Sequence, residues 1–268
     1  MLARVGIFSL VLCAGCGTEV ASAPRSDRAL PPAIVPDAAS PVAAAKDAAK
    51  EDAGVCPAQM VLVQGAYCPT VNQICKRWTD PPGTYHEYRC AEYADPVKCV
   101  GERENKRFCI DREEFVKPGE LLPVAHQSWT SADGICKSRG ARLCLESEWQ
   151  FACEGEAMHP YPYGDGFKRD PGACNADRTD LGRPNAGLKD LRAPVDAFPK
   201  CVSPFGVHDM TGNVEEWATQ DHGHLPDRSA MKGAWWLPGK NFCRAVTLGH
   251  GETYEGTQMG VRCCKDAP

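Results

Sequence analysis

Two carboxylates, Asp209 and Glu216, stand seven positions apart in the run G-V-H-D-M-T-G-N-V-E-E-W, Gly206 to Trp217. Gly212 between them permits a sharp turn, and extended backbone beyond it would bring the Gly212 and Val214 carbonyls to the side of Glu216. Such a donor set is all oxygen and partly backbone, which suits Ca²⁺ better than a transition metal. The simpler reading is an acidic turn closed by a buried Trp217, and the residues alone favour it.

Other candidate chemistry is sparser. Asp221, His222 and His224 form D-H-G-H, which could ligate zinc or iron or could be a solvated turn. His208, next to Asp209, reads as a packing or hydrogen-bonding residue, and His250 and Glu252 sit in a G-H-G-E-T loop with no partner visible in the sequence. Trp235 and Trp236 could line a groove, although core packing is the commoner fate of such rings. No nucleophile elbow, phosphate-binding loop or H-E-x-x-H pattern is present.

The elements that must hold these residues are short. Met60–Val63 reads as a buried strand closed by Gly65, and Phe108–Asp111 as a second strand continuing toward Phe115. Between them, Cys68–Cys99 carries Pro81-Pro82-Gly83 and four cysteines and reads as a stapled insertion. Thr130-Ser131-Ala132-Asp133 predicts a helix start, with Ala132, Ile135 and Cys136 on one face and Gly140 at the end. A second helix is expected from Glu146 to Glu154, with Trp149, Ala152 and Cys153 inward and Gly155 as its stop. Cys136 and Cys153 therefore read as structural disulfide partners. Residues 160–205 are punctuated by Pro, Gly, Asn and Asp, and a loop region of that length is functional or held by metal and disulfides. Strand-like runs return at 233–236, 242–246 and 259–263.

Composition sets the compartment. The chain has 268 residues, a net charge of −5 and sixteen cysteines. The acidic balance argues against a nucleic-acid partner. With no C-x-x-C pair after Cys16, the cysteines point to disulfides and an oxidising compartment rather than metal clusters. Met1–Arg4 supplies a positive start, Val5–Leu12 a short apolar run, and L-C-A-G-C a small-residue ending before Cys16. This resembles a bacterial lipoprotein signal, in which Cys16 would carry lipid and tether the protein to a membrane; cleavage by an ordinary signal peptidase is the alternative. Gly17 and Thr18 in place of aspartate favour, by analogy, the outer membrane. Residues 1–15 are thus read as signal peptide and 16–54 as an Ala/Pro-rich disordered tether, with twelve alanines and five prolines between Gly17 and Gly54. Setting Cys13 and Cys16 aside leaves fourteen cysteines, enough for seven disulfides.

In sequence order, M-V-L-V-Q-G, F-C-I-D-R-E-E, the long S-W-T-S-A-D-G-I-C to F-A-C-E-G stretch, Y-P-Y-G-D, A-P-V-D-A-F-P, F-G-V-H-D-M-T-G-N-V-E-E-W and M-G-V-R-C resemble the sulfatase-modifying-factor family, that of the formylglycine-generating enzyme. The resemblance runs from about Cys56 to Lys265 and gives residues 55–268 as one such domain. It implies an α+β fold, the family's loop-rich variant of the C-type-lectin fold. It also implies that Asp209, Gly212, Val214 and Glu216 bind Ca²⁺, which tips the reading of that stretch from acidic turn to calcium site. A second family calcium site would begin at Asn175 and the Ala176 carbonyl, with later ligands in residues 187–190. Disulfides implied by the resemblance join Cys136 to Cys263 (or its neighbour Cys264) and Cys153 to the region of Cys243.

The catalytic pattern departs from the family. Formylglycine formation uses Cu(I) held by two cysteines after a G-G-S motif, since soft Cu(I) prefers thiolates. The corresponding segment here is K-G-A-W-W-L-P-G-K-N-F-C-R-A-V-T-L. Ala234 replaces the motif serine, Cys243 is the one cysteine between Gly233 and Val261, and Thr247 and Leu248 stand where an arginine is usual. Copper is therefore not expected. Two functions follow: a non-catalytic extracytoplasmic binding or structural module for a peptide, glycan or protein ligand, or an oxidoreductase of the sulfatase-modifying-factor type.

Overall fold

Val61 and Val63 point into one apolar cluster and Met60 into another, the alternation of a strand covered on both faces. In the computed structural model, which describes residues 54–83, 86–180 and 188–268, this strand is β1 (Met60–Tyr67). The described residues lie in a compact unit, Ser40–Pro268; the signal segment, Cys16 and nearly all of the tether lie outside them. Gly65 does not close β1, which runs two residues further. The glycine serves a close approach instead: a Cβ there (φ +150°) would lie 2.5 Å from Glu156 Oε1, the oxygen that accepts a hydrogen bond from Ala66 N.

The Cys-rich insertion holds four short strands, β2 (Val71–Asn72), β3 (Cys75–Trp78), β4 (Cys90–Tyr93) and β5 (Lys98–Cys99). β2 pairs with β5 and β3 with β4, and the nested disulfides Cys68–Cys99 and Cys75–Cys90 staple the two pairs. Hydrogen bonds from Tyr93 N to Phe167 O and from Arg169 N to Ala91 O anneal β4 to the long loop region. The insertion is therefore a fixed wall.

β6 (Glu104–Asp111) begins before Phe108 and stops at Asp111, where it meets the start of β1 in antiparallel register. Helix α1 (Trp129–Ser138), strand β7 (Arg142–Leu143) and helix α2 (Glu146–Glu154) follow. The capping box of α1 sits two residues before the T-S-A-D run. Ser128 is the N-cap: its Oγ accepts from Ser131 N, and Ser131 Oγ accepts from Ser128 N. At α2 the N-cap position is Leu145, which has no side-chain oxygen, so the help comes from afar. Asp221 accepts from both Ser147 N and Ser147 Oγ, and Glu148 accepts from Leu145 N.

The last strands are β8 (Glu215–Thr219), β9 (Ser229–Lys232), β10 (Val246–Thr247), β11 (Met259–Gly260) and β12 (Cys263–Asp266). The first sheet has the order β1-β6-β12-β7; the second is β10-β9-β8-β11, with β11 parallel to β8. The runs 233–236 and most of 242–246 are not strands. Gly233 (φ +84°) and Ala234 (φ +54°) turn the chain sharply out of β9, and Cys243 is fixed to Cys153 on α2. On β12 successive residues face opposite ways. Cys263 accordingly bonds Cys136 of α1, and Cys264 bonds Cys144. Cys56–Cys109 and Cys174–Cys201 complete seven disulfides. Among the described residues no helix is long and apolar enough to cross a membrane.

Candidate functional site

Glu216 opens into the interior on β8 and is 1% exposed. Arg262, fully buried between β11 and β12, donates Nε to both of its oxygens at 2.9 and 2.8 Å, and Trp149 Nε1 donates to Oε2 at 2.6 Å. The remaining guanidinium nitrogens bond to the carbonyls of Asp111 and His208, both at 2.8 Å. Burial works against the charge on Arg262, but Glu216, with Glu114 and Asp111, outweighs it and the arginine stays protonated. One buried cation thus ties together β6, β8 and the loop that carries Asp209.

Asp209 presents a different picture. It is 3% exposed, its backbone is left-handed (φ +55°), and its carboxylate receives no hydrogen bond among the described residues. Burial pushes its pKa up to about 8, Arg262 opposing and Glu113 and Glu216 adding to the rise. Glu114, wholly buried nearby, is likewise raised well above the usual carboxylate range by burial and by Asp209 and Glu216. Its two oxygens accept from Asn213 Nδ2 and from Val214 N. Among the loop and turn hydrogen bonds of the described residues, none ends on the Gly212 or Val214 carbonyl. Three buried carboxylates therefore share a single guanidinium, with two carbonyl oxygens unspent beside them.

Gly212 (φ +87°) is required by packing. A Cβ there would stand 2.5 Å from the Asn175 carbonyl oxygen, which accepts a hydrogen bond from Asn213 N. The structure thus brings Asn175 against the Gly212–Asn213 turn. Asn175 is itself fully buried: its Nδ2 donates to Leu191 O and Asn213 Oδ1, and its Oδ1 accepts a long 3.4 Å bond from Arg178. Ala176 follows with its N–H on Cys174 O. Of residues 187–190, Gly187 lies outside the described residues, and Asp190 is bound to Arg192.

The remaining candidates separate. Trp236 is fully buried against Leu191 and Val214 and lines no groove; Trp235 is half-buried beside it, ring centroids 5.1 Å apart. Trp236 is core because the sharp turn at Gly233 and Ala234 drives it back into the loop region. D-H-G-H is a surface turn: Asp221 is spent on capping α2, while His222 and His224 are exposed. No group of three or more His, Cys, Asp or Glu fit to hold a metal exists among the described residues. Glu252, without a visible partner in sequence, forms a two-bond ion pair with Arg228.

Sequence reasoning missed Arg262, Glu114 and Asn213. The R of M-G-V-R-C and the E-E doublet at 113–114 were the available signals, but their partners lie 46 and about 100 residues away. Lys232 was missed as well: it is fully buried at the end of β9, reaching Gln150 and Glu146.

Comparison with known proteins places this geometry. Residues 84–267 match the sulfatase-modifying factor enzyme 1-like domain. An inactive Cα-formylglycine-generating enzyme 2 of Bos taurus is 32% identical over 156 residues, covering 54% of this chain and 51% of that protein. The formylglycine-generating enzyme of Bos taurus is 33% identical over 101 residues, 36% of this chain and 26% of that one. The chain thus spans about half the length, or less, of these curated relatives. Among solved structures, CarF superposes with a TM-score of 0.52 over 79% of this chain and 99% of its own, at 16% identity, a likeness of fold alone.

Proposed function

The chain belongs to the sulfatase-modifying-factor family, in its loop-rich, C-type-lectin-like α+β fold, and from that premise we propose that it is a calcium-stabilised binding or structural module that does not form formylglycine. The observation that carries this reading is the fate of Cys243. It is disulfide-bonded to Cys153, and every cysteine from Cys56 to Cys264 is likewise paired. Paired sulfurs offer no thiolates to a soft metal. The name of the Bos taurus relative, an inactive formylglycine-generating enzyme, is in keeping with that.

Calcium is part of the same proposal. Asp209, with its unbonded buried carboxylate, and the Gly212 and Val214 carbonyls would hold the ion, and Glu216 would contribute an oxygen while keeping Arg262. A divalent cation there would offset the surplus of buried negative charge around a single arginine. Asn175 and Ala176 would serve a second, neighbouring ion. The ion's contribution would be rigidity in the loops, not reaction chemistry. Seven disulfides are compatible with an oxidising, extracytoplasmic compartment. The lipid anchor at Cys16, on the outer membrane, completes the proposal, with a peptide, glycan or protein as ligand.

The test combines two titrations of purified protein. With Cu(I) under anaerobic conditions, no stoichiometric binding is expected, and no oxygen is consumed with a C-x-P-x-R peptide. One tight equivalent of copper with turnover would overturn the reading. With Ca²⁺ at a hundredfold excess over its Kd, stabilisation of about 2.7 kcal/mol is expected over a chelator-treated sample. Asp209→Asn should remove most of that increment; an unchanged increment would remove Asp209 from the site.

A further inference from the structure

Between the Cys-rich insertion and the loop after β9 lies a cavity of about 400 Å³, lined by Asp80, Tyr88, Arg89, Pro238 and Gly239. Small-ligand sites commonly measure about 300–1,000 Å³. Both walls are held in place. On one side Cys75–Cys90 staples the β3–β4 pair, and β4 is hydrogen-bonded to the 167–169 segment. On the other, Asn241 is 2% exposed, donates Nδ2 to Trp235 O at 2.8 Å and accepts from Arg169 at 3.2 Å. Lys240 follows Gly239 on this second wall, and its Nζ stands 4.6 Å from the centroid of the Tyr88 ring on the first. The ammonium is thus held at the edge of the cavity.

Charge around the cavity does not balance. Arg89 donates Nε and Nη2 to the Asp80 carboxylate and Nη1 to Asp177 at 3.2 Å. Behind it, Arg169 donates Nε and Nη2 to the same Asp177, both at 2.9 Å. Two guanidiniums and two carboxylates cancel, which leaves the charge of Lys240. Among the described residues its ammonium has no carboxylate partner, and the Tyr88 ring covers one side of it only. Glu87, beside Tyr88 in the chain, is 71% exposed, faces His86 at 3.7 Å and does not line the cavity. Donors are in surplus too. Arg89 gives one N–H from each nitrogen to the two carboxylates, so Nη1 and Nη2 each keep a second N–H to offer.

This pattern selects the ligand class. A cation would be repelled, and a neutral ligand would take water from the ammonium and return no charge. A dianion brings one charge more than the site leaves unmatched. A carboxylate supplies a single charge, with acceptor oxygens for Lys240 and for the outer N–H groups of Arg89. A neutral organic body attached to it would cover Pro238 and Gly239, the part of the lining that carries no charge.

We infer that this cavity binds a small organic monocarboxylate, with Lys240 as its counter-charge. The inference goes beyond the calcium-stabilised module, because Lys240 is neither one of the calcium donors nor part of the cysteine framework.

The experiment uses the full chain, produced without lipid as Cys16→Ser and ¹⁵N-labelled. It is titrated with acetate, lactate, benzoate and N-acetylglycine, with the matching neutral amides, and with inorganic sulfate and phosphate. At least one carboxylate is expected to shift the Arg89 and Gly239 amides saturably, at least tenfold more tightly than its amide. Lys240→Gln is expected to weaken it at least tenfold and Lys240→Arg to restore most of the affinity. The melting temperature, and amide signals remote from the cavity, report that each variant is folded. No saturable response to any of the four carboxylates at about 10 mM, enough to detect a millimolar Kd, would overturn the inference. So would neutral amides that bind as tightly, tighter binding of sulfate or phosphate at these amides, or carboxylate binding that Lys240→Gln leaves intact. Copper turnover and the calcium increment bear on the module reading alone and are scored separately.

Discussion

Lys232 shows at residue scale how much electrostatic cost this fold accepts. Its ammonium is fully buried, with only long contacts to Gln150 Oε1 (3.4 Å) and Glu146 Oε1 (3.5 Å) and the Trp149 ring 5.5 Å away. Burial pushes its pKa down to about 8, Glu146 pulling the other way. The folded state therefore releases this proton before the unfolded state does. Between about pH 8 and 10.5 the unfolded chain binds more protons at this group, so stability rises with pH there and falls as pH drops through 8. Lys232→Met should abolish that slope and, at pH 7, stabilise the protein by up to about 3 kcal/mol. Chemical denaturation at pH 7 and 9.5 checks both; a slope retained in Lys232→Met would contradict it. Nothing in K-G-A-W-W distinguishes a buried lysine from a surface one, because its environment is assembled from α2. Asp209 and Glu216 stood out in the sequence as carboxylates around a glycine turn, and the structure buries both. Arg262, the buried cation between them and β6, did not stand out.

At the scale of elements, local signals worked where the partner was local. Both helices end at the glycines that mark them in sequence, and α2 spans Glu146–Glu154 as its spacing predicts. The start of α1 was displaced because Ser128 and Thr130 both offer a capping hydroxyl and only the backbone decides between them. Ser128→Ala should cost about 1 kcal/mol, read as a lowered denaturation midpoint, whereas Thr130→Ala, whose hydroxyl bonds Glu252 O at the surface, should cost less. Equal losses would return the cap to Thr130. The strands near the C-terminus were misplaced for a different reason. The aromatic run 234–236 has strand composition, but left-handed backbone at Gly233 and Ala234 breaks it, while the bland Ser229–Lys232 is a strand because β8 and β10 flank it.

At the scale of the molecule, the sheets of the described residues, two of four strands and two of two, are short and long loops carry much of the backbone, so covalent links do the holding. Five disulfides span ninety or fewer residues and two close loops of 120 and 127, tying the helical segment to the final strand. An even number of cysteines in an oxidising context made the framework legible as a framework. Beyond the two pairs that the family resemblance implied, the partners were not, from Cys56–Cys109 and the two insertion staples to Cys144–Cys264 and Cys174–Cys201, because pairing depends on which strand faces meet. The proposed function rests on the same framework, since it consumes Cys243. The most direct measurement is alkylation of the purified chain with iodoacetamide in denaturant without reductant, followed by mass mapping. No label is expected on any cysteine from Cys56 to Cys264, and labelling of all fourteen is expected only after reduction. Two labelled cysteines before reduction, Cys243 among them, would contradict the non-catalytic reading.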